Sequence, residues 1–162
     1  MKKLLLTIMM FNLILFSSSA SIYAKDTSIQ LYEDTNDSYT IEYLEDGSFI
    51  ETIVEAEPTV IKSSTRNGSK TKNYKDKNGK ILWSLKVQGT FTYNGKSASC
   101  TDSKVYANNY SSNWRLSNQL SSKSKNIAKA SVTAKEYTIL NNLKNTVNLS
   151  VSLACSPNGT LS

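Results

Sequence analysis

A strict alternation of apolar and polar residues constrains the fold of this 162-residue chain most. Along Ile81–Tyr93, apolar residues and one glycine occupy the odd positions, and polar residues occupy most even ones. A repeat of two predicts a long β-strand with one buried face, because successive side chains of a strand point to opposite sides. The same repeat runs along Val147–Cys155. In Ala128–Ala134 it is carried mainly by alanine, which predicts a strand closely approached by a facing sheet.

Turn signals separate these alternating runs. Asp46-Gly47, Asn78-Gly79 and Asn94-Gly95 are dipeptides typical of β-hairpins, and Asn141-Asn142 can serve in the same way. A further break, Ser63–Gly68, reads as a loop. Many strands with frequent turns predict an all-β fold, an antiparallel β-sandwich that is immunoglobulin-like in its general architecture.

The two cysteines of the chain fall in phase with the apolar faces. A two-residue turn at Asn94-Gly95 would pair Gly89 with Cys100 on the inner face, and Cys155 follows the apolar positions of the last strand. Gly89 would leave room for a sulfur bridge. We therefore expect a Cys100–Cys155 disulfide, the usual state of a cysteine pair in a secreted protein.

Residues 1–24 have the features of a secretory signal peptide. Two lysines precede the apolar run Leu4–Phe16, and small residues lead from it to Ala24. We expect cleavage after Ala24, with Ala20 as the second choice, and a secreted, extracellular product. The apolar run is too short for a membrane anchor, and the sequence predicts no transmembrane segment elsewhere.

Charge is distributed unevenly along the rest of the chain. Residues 25–57 carry a net charge of −9, whereas residues 58–162 carry +13. This asymmetry predicts an acidic hairpin segment at 25–57, a linker or loop at 58–68 and a basic β-sandwich core at 69–162. We expect the two charged parts to attract each other.

The basic part suggests binding to an anionic polymer or surface, such as a teichoic acid, a glycosaminoglycan or a membrane surface, and we expect no nucleic acid partner. The alternative is that the lysines are solvated and protect strand edges from aggregation. The densest candidates surround the predicted turn at Asn78-Gly79: Lys70, Lys72, Lys75, Lys77 and Lys80.

A second group of candidates is aromatic. Tyr106, Tyr110 and Trp114 lie among asparagines and basic residues, a composition suited to a glycan. The alternative is that Trp114 and one tyrosine fill the core while the asparagines form turns.

Catalytic chemistry is not indicated. The chain contains no histidine, which removes the commonest general base and a common metal ligand. Its serines have no histidine partner, and Glu51, Glu55 and Glu57 read as a charged strand face. We expect no enzyme activity, no metal site and no cofactor.

Three segments carry a resemblance to a known group: Glu42–Ile53, Gly79–Gly95 and Cys155–Ser162. They resemble uncharacterised small secreted proteins of low-GC, clostridia-like Gram-positive bacteria. The resemblance implies an all-β extracellular domain with one disulfide. It supplies no functional residues.

Two function hypotheses remain open at this point. The first is a secreted, non-catalytic module that binds or associates with an anionic envelope or host polymer. The second is a bacteriocin-like effector whose acidic segment, residues 25–57, is a removable pro-segment.

Overall fold

The computed structural model of the chain describes residues 38–57 and 64–162. In this part of the chain there is no helix long and apolar enough to cross a membrane. The predicted signal peptide and its cleavage site at Ala24 lie outside the described residues. The described residues form eight strands: β1 (Ser38–Tyr43), β2 (Phe49–Ala56), β3 (Thr65–Lys75), β4 (Ile81–Tyr93), β5 (Ala98–Asn109), β6 (Trp114–Ser124), β7 (Ile127–Tyr137) and β8 (Leu143–Ala154).

The strands form two antiparallel sheets, which confirms the predicted all-β class. Strands β1–β5 make a five-stranded sheet in chain order, and β6–β8 make a three-stranded sheet in chain order. Both sheets are therefore meanders, whereas immunoglobulin domains use Greek-key connections between their sheets. The likeness to that fold extends only to two layers of antiparallel strands.

The hydrophobic core lies between the two sheets. The largest fully buried side chains include Trp83, Leu85 and Phe91 of β4 and Leu153 of β8. The small sheet packs mainly over β3, β4 and β5, so β1 and β2 extend the large sheet beyond it. The small sheet thus covers the inner face of the large sheet on one side only, although Ile50 and Val54 of β2 are also buried there.

Small residues on β4 and β7 allow the sheets to approach closely. Ala128 is fully buried, and a Cβ added at Gly89 would lie 3.0 Å from the Ala128 Cβ. The same added atom would lie 2.5 Å from the Phe91 ring, so Gly89 provides space for that ring. The close approach predicted from the alanines of β7 is confirmed.

Four turns among the described residues share one hydrogen-bond pattern. The N–H of the first residue donates to the carbonyl of the fifth, and the N–H of the fourth donates to the carbonyl of the first, at N···O distances of 2.8–3.0 Å. The fourth residue has a positive φ between 62° and 84° in every case, a conformation that favours glycine and asparagine. These turns occupy residues 44–48, 76–80, 138–142 and 156–160.

The β4–β5 connection differs from the predicted two-residue turn. Tyr93 pairs with Ala98, so residues 94–97 form a four-residue connection. The Asn94 Oδ1 atom stabilises it by accepting hydrogen bonds from the backbone N–H of Lys96 at 3.0 Å and of Ser97 at 2.8 Å. The longer turn shifts the register, and Cys100 pairs with Phe91 instead of Gly89.

The predicted disulfide is wrong for this structure, because Cys100 and Cys155 are buried free thiols. Both are members of the core, as their phase predicts. The Cys100 Sγ atom lies 3.2 Å from the Asp102 carbonyl oxygen, and the Cys155 Sγ atom lies 3.5 Å from that of Ser156. The gap at Gly89 that was expected to hold a sulfur bridge is filled by the Phe91 ring.

Burial raises the pKa of both thiols above the ordinary value. Because the thiolate is the reactive form, we expect the native chain at pH 8 to react slowly with a thiol reagent. Unfolding in urea without reductant should release two titratable thiols per chain. An unfolded, unreduced chain without free thiols would contradict the observed state of the cysteines.

The acidic hairpin forms the first two strands of the large sheet. β2 pairs with β3 from Phe49↔Lys75 to Ala56↔Gly68, and Ile50 and Val54 lie in the core. Backbone hydrogen bonds and apolar contacts therefore join the hairpin to the basic part, in addition to charge. Residues 65–68 of the predicted linker belong to β3.

Candidate functional site

Two lysines lie on the inner face of the large sheet. In the β2–β3–β4 register, Lys70 stands between Val54 and Val87, and Lys72 stands between Thr52 and Leu85. Paired residues share a face of the sheet. Because Val54, Val87 and Leu85 are buried core residues, both lysines also belong to the inner face. We call Lys70 and Lys72 the inner-face lysine pair.

The lysine pair lies on β3, at the margin of the small sheet, which packs against β3 mainly through β8. Beside it, hydroxyl side chains continue the same face onto β2 and β1: Thr40 pairs with Thr52, and Ser38 pairs with Val54. Thr40, Thr52 and Lys72 thus form one row across three strands, with about 4.8 Å between neighbouring strands. We define Ser38, Thr40, Thr52, Lys70 and Lys72 as the open shelf.

Neither lysine of the pair has an ion-pair partner among the described residues. Both side chains are half-buried, and alternate residues of a strand are about 7 Å apart. Burial, and then the charge of Lys72, lower the pKa of Lys70 below its ordinary range. Two cations held in this way are unfavourable for the isolated protein, and a bound anion would relieve both effects.

Lys75 lies on the opposite, outer face, and its charge is neutralised by an ion pair with Glu51. Its Nζ atom donates to Glu51 Oε1 at 2.7 Å, and the same carboxylate accepts hydrogen bonds from Asn73 at 2.8 Å and Tyr39 at 3.1 Å. Burial raises the pKa of Glu51, but the hydrogen bonds from Lys75, Asn73 and Tyr39, together with the charge of Lys75, outweigh burial and leave the pKa below the ordinary value. Lys75 therefore forms an ion pair between β3 and β2 within the sheet.

The remaining candidate lysines and the tyrosines are dispersed. Lys77 and Lys80 are exposed in the β3–β4 turn. The Tyr106 hydroxyl donates to Gln88 Oε1 at 3.3 Å, and by register Tyr106 pairs with Lys86 on the outer face. Tyr110 is exposed just beyond the end of β5. These residues do not join the open shelf.

Trp114 lies in the core, as the alternative interpretation proposed. Its ring centroid is 5.3 Å from that of Tyr74 and 5.8 Å from that of Trp83. Tyr74 and Trp83 are stacked at 5.1 Å with an interplanar angle of 8°. Because Trp114 is almost completely buried, its ring face is not available to a sugar.

One exposed apolar feature of the molecule was not predicted from the sequence. Ile139 and Leu140 form the tip of the β7–β8 turn, and 97% and 83% of their respective surfaces are exposed. Two adjacent apolar residues beside the turn signal Asn141-Asn142 were the signal available in the sequence.

Within the residues that the structure describes, no group of three or more carboxylate, cysteine or histidine side chains could hold a metal ion. Comparisons with protein-family models, with curated proteins and with solved structures each find no match to this chain.

Proposed function

We propose that the chain is a secreted, non-catalytic module that binds an anionic envelope or host polymer through the open shelf. The observation that carries this proposal is the inner-face lysine pair, whose half-buried charges have no partner among the described residues.

The chemistry of the shelf fits a polymer that carries both anionic and hydroxyl groups. Two lysines at alternate positions of one strand, whose Cα atoms are about 7 Å apart, can contact successive phosphates or sulfates of one chain. The hydroxyls of Thr40, Thr52 and Ser38 lie on the same face of β1 and β2 and can hydrogen-bond the groups between those anions. A teichoic acid and a glycosaminoglycan both have this composition.

The test measures binding of a poly(glycerol phosphate) teichoic acid and of heparin to the purified chain at several salt concentrations. We expect the logarithm of affinity to fall linearly with the logarithm of salt concentration. The Lys70→Gln/Lys72→Gln variant should reduce the magnitude of this slope by roughly 1.5, because each lost phosphate contact removes about 0.7–0.9. Its thermal stability should equal that of the wild type or exceed it, since a repulsive pair is removed.

A matched control is Lys77→Gln/Lys80→Gln, which removes the same charge from the exposed β3–β4 turn. This control should keep most of the wild-type slope. An equal loss of slope in both double variants would show that binding follows net charge alone. No binding of either polymer by the wild type at low salt would refute the proposed function.

A further inference from the structure

The tip of the β7–β8 turn differs from the other turns of its kind in this chain. The four turns with the shared hydrogen-bond pattern carry their two tip residues at the second and third positions. Three of these tips are Glu45-Asp46, Lys77-Asn78 and Pro157-Asn158, whereas the fourth is Ile139-Leu140. The same backbone pattern therefore forms without apolar tip residues, and folding of the turn does not require Ile139 or Leu140.

Hydrogen bonds stabilise the turn that carries the apolar tip. The Asn142 N–H donates to the Thr138 Oγ1 atom at 3.2 Å, inside the turn. From β6, the Arg115 guanidinium donates to the Asn141 Oδ1 atom at 2.7 Å. The same guanidinium lies 4.4 Å from the centre of the Tyr137 ring. These contacts fix the turn while both apolar side chains project into solvent.

Other exposed residues at the same end of the molecule fit a membrane interface. Four connections lie at this end: β1–β2, β3–β4, β5–β6 and β7–β8. Tyr43, Tyr110 and Leu143 are exposed side chains in or beside these connections. Exposed tyrosines are typical of the layer between lipid headgroups and acyl chains. Lys77 and Lys80 of the β3–β4 turn make no ion pair among the described residues. The exposed Glu45 and Asp46 of the β1–β2 turn carry the opposite charge at this end, so the apolar and tyrosine side chains, and not net charge, support the inference.

We propose that the β7–β8 turn inserts Ile139 and Leu140 into the interfacial layer of a lipid bilayer. The shape of the tip favours a bilayer over a folded partner, because two almost fully exposed side chains on a projecting turn need a partner that deforms around them. Burial of both side chains supplies the driving force. This inference is independent of the open shelf.

The test measures partitioning of the purified chain onto unilamellar vesicles of phosphatidylcholine and phosphatidylglycerol by co-sedimentation. We expect Ile139→Ser/Leu140→Asn to lower the partition coefficient at least tenfold, because each lost apolar side chain is worth about a factor of ten. Binding of the wild type should largely persist at 1 M salt, where the Debye length is about 3 Å.

Two control variants separate this inference from other causes. Leu120→Ser removes another exposed leucine, 65% exposed on β6, and should leave partitioning unchanged. Lys70→Gln/Lys72→Gln should also leave it within about twofold, whatever its effect on polymer binding. A fluorescence blue shift on vesicle addition to the Leu140→Trp variant would support insertion.

Three results would overturn the inference. They are absence of vesicle binding by the wild type, equal binding by the tip variant, and a wild-type dimer in solution that the tip variant dissociates. The last result would assign the tip to contact between two copies of the chain.

Discussion

Trp83→Ala is expected to lower the free energy of unfolding by about 3–5 kcal/mol, the usual cost of removing a large aromatic side chain from a core. Trp83 is completely buried, and its ring contacts both Tyr74 and Trp114. The variant loses the burial of the indole and two aromatic contacts, and it leaves a cavity between the sheets. Equilibrium unfolding in urea, followed by far-ultraviolet circular dichroism, measures the loss.

Trp83→Phe is the matched control. The Trp83 Nε1 atom is buried and has no hydrogen-bond partner in the part of the chain that the structure describes, so replacing the indole by a phenyl ring removes an unsatisfied donor and keeps a six-membered ring. We expect a smaller loss of about 1–2 kcal/mol. Equal losses for the two variants would mean that an unseen partner of the indole N–H, and not ring packing, provides the stability at this position.

The strands with one buried face were predictable because burial alternates along them. β4 has the predicted bounds, Ile81 to Tyr93, β7 contains the alanine run, and β8 contains the last run except for its final residue, Cys155. β6 was not predicted, since apart from Trp114 its side chains are almost all exposed and no apolar repeat marks it. A strand on the rim of a core has no periodic signal to detect.

Irregular backbone accounts for the errors of register. β5 has a bulge beside Thr101, because Phe91 pairs with Cys100 while Thr90 pairs with Asp102. One extra residue reverses which side chains face inward, so alternation read through a bulge assigns the wrong face beyond it. Turn length was the second cause: glycine and asparagine indicated where the chain turns, but not how many residues it uses.

The candidate lysines were predictable as residues but not as a site. They are close in sequence, and a hairpin tip was expected to bring them together. In β3, however, period two places Lys70 and Lys72 on one face and a salt-bridged Lys75 on the other. The sequence of β3 is polar at nearly every position, and Tyr74, in phase with Lys70 and Lys72, was the single aromatic signal of the face that lies next to the core.

Removal of the acidic hairpin is expected to abolish the folded state. A chain that begins at residue 64 lacks Ile50 and Val54, which are both buried in the core, and it leaves the long edge of β3 unpaired. Full burial of two such side chains is worth about 3–6 kcal/mol, a large part of the typical stability of one domain. We expect an aggregating product without dispersed amide resonances in a proton–nitrogen correlation spectrum.

Salt distinguishes apolar attachment from charge attraction. The hairpin contributes two ion pairs across the outer face, Glu51–Lys75 at 2.7 Å and Glu55–Lys86 at 3.4 Å. The second is exposed and is worth at most about 1 kcal/mol. The full chain should therefore unfold in one cooperative transition at 0.1 M and at 1 M salt, with a similar midpoint.

A chain from residue 64 that folds cooperatively, or a hairpin that separates at 1 M salt, would contradict this result. Either outcome would favour the effector hypothesis, in which the acidic segment is a removable mask. Retention of the hairpin through the core contacts of Ile50 and Val54 favours the binding module instead, because the open shelf then needs β1 and β2 in place.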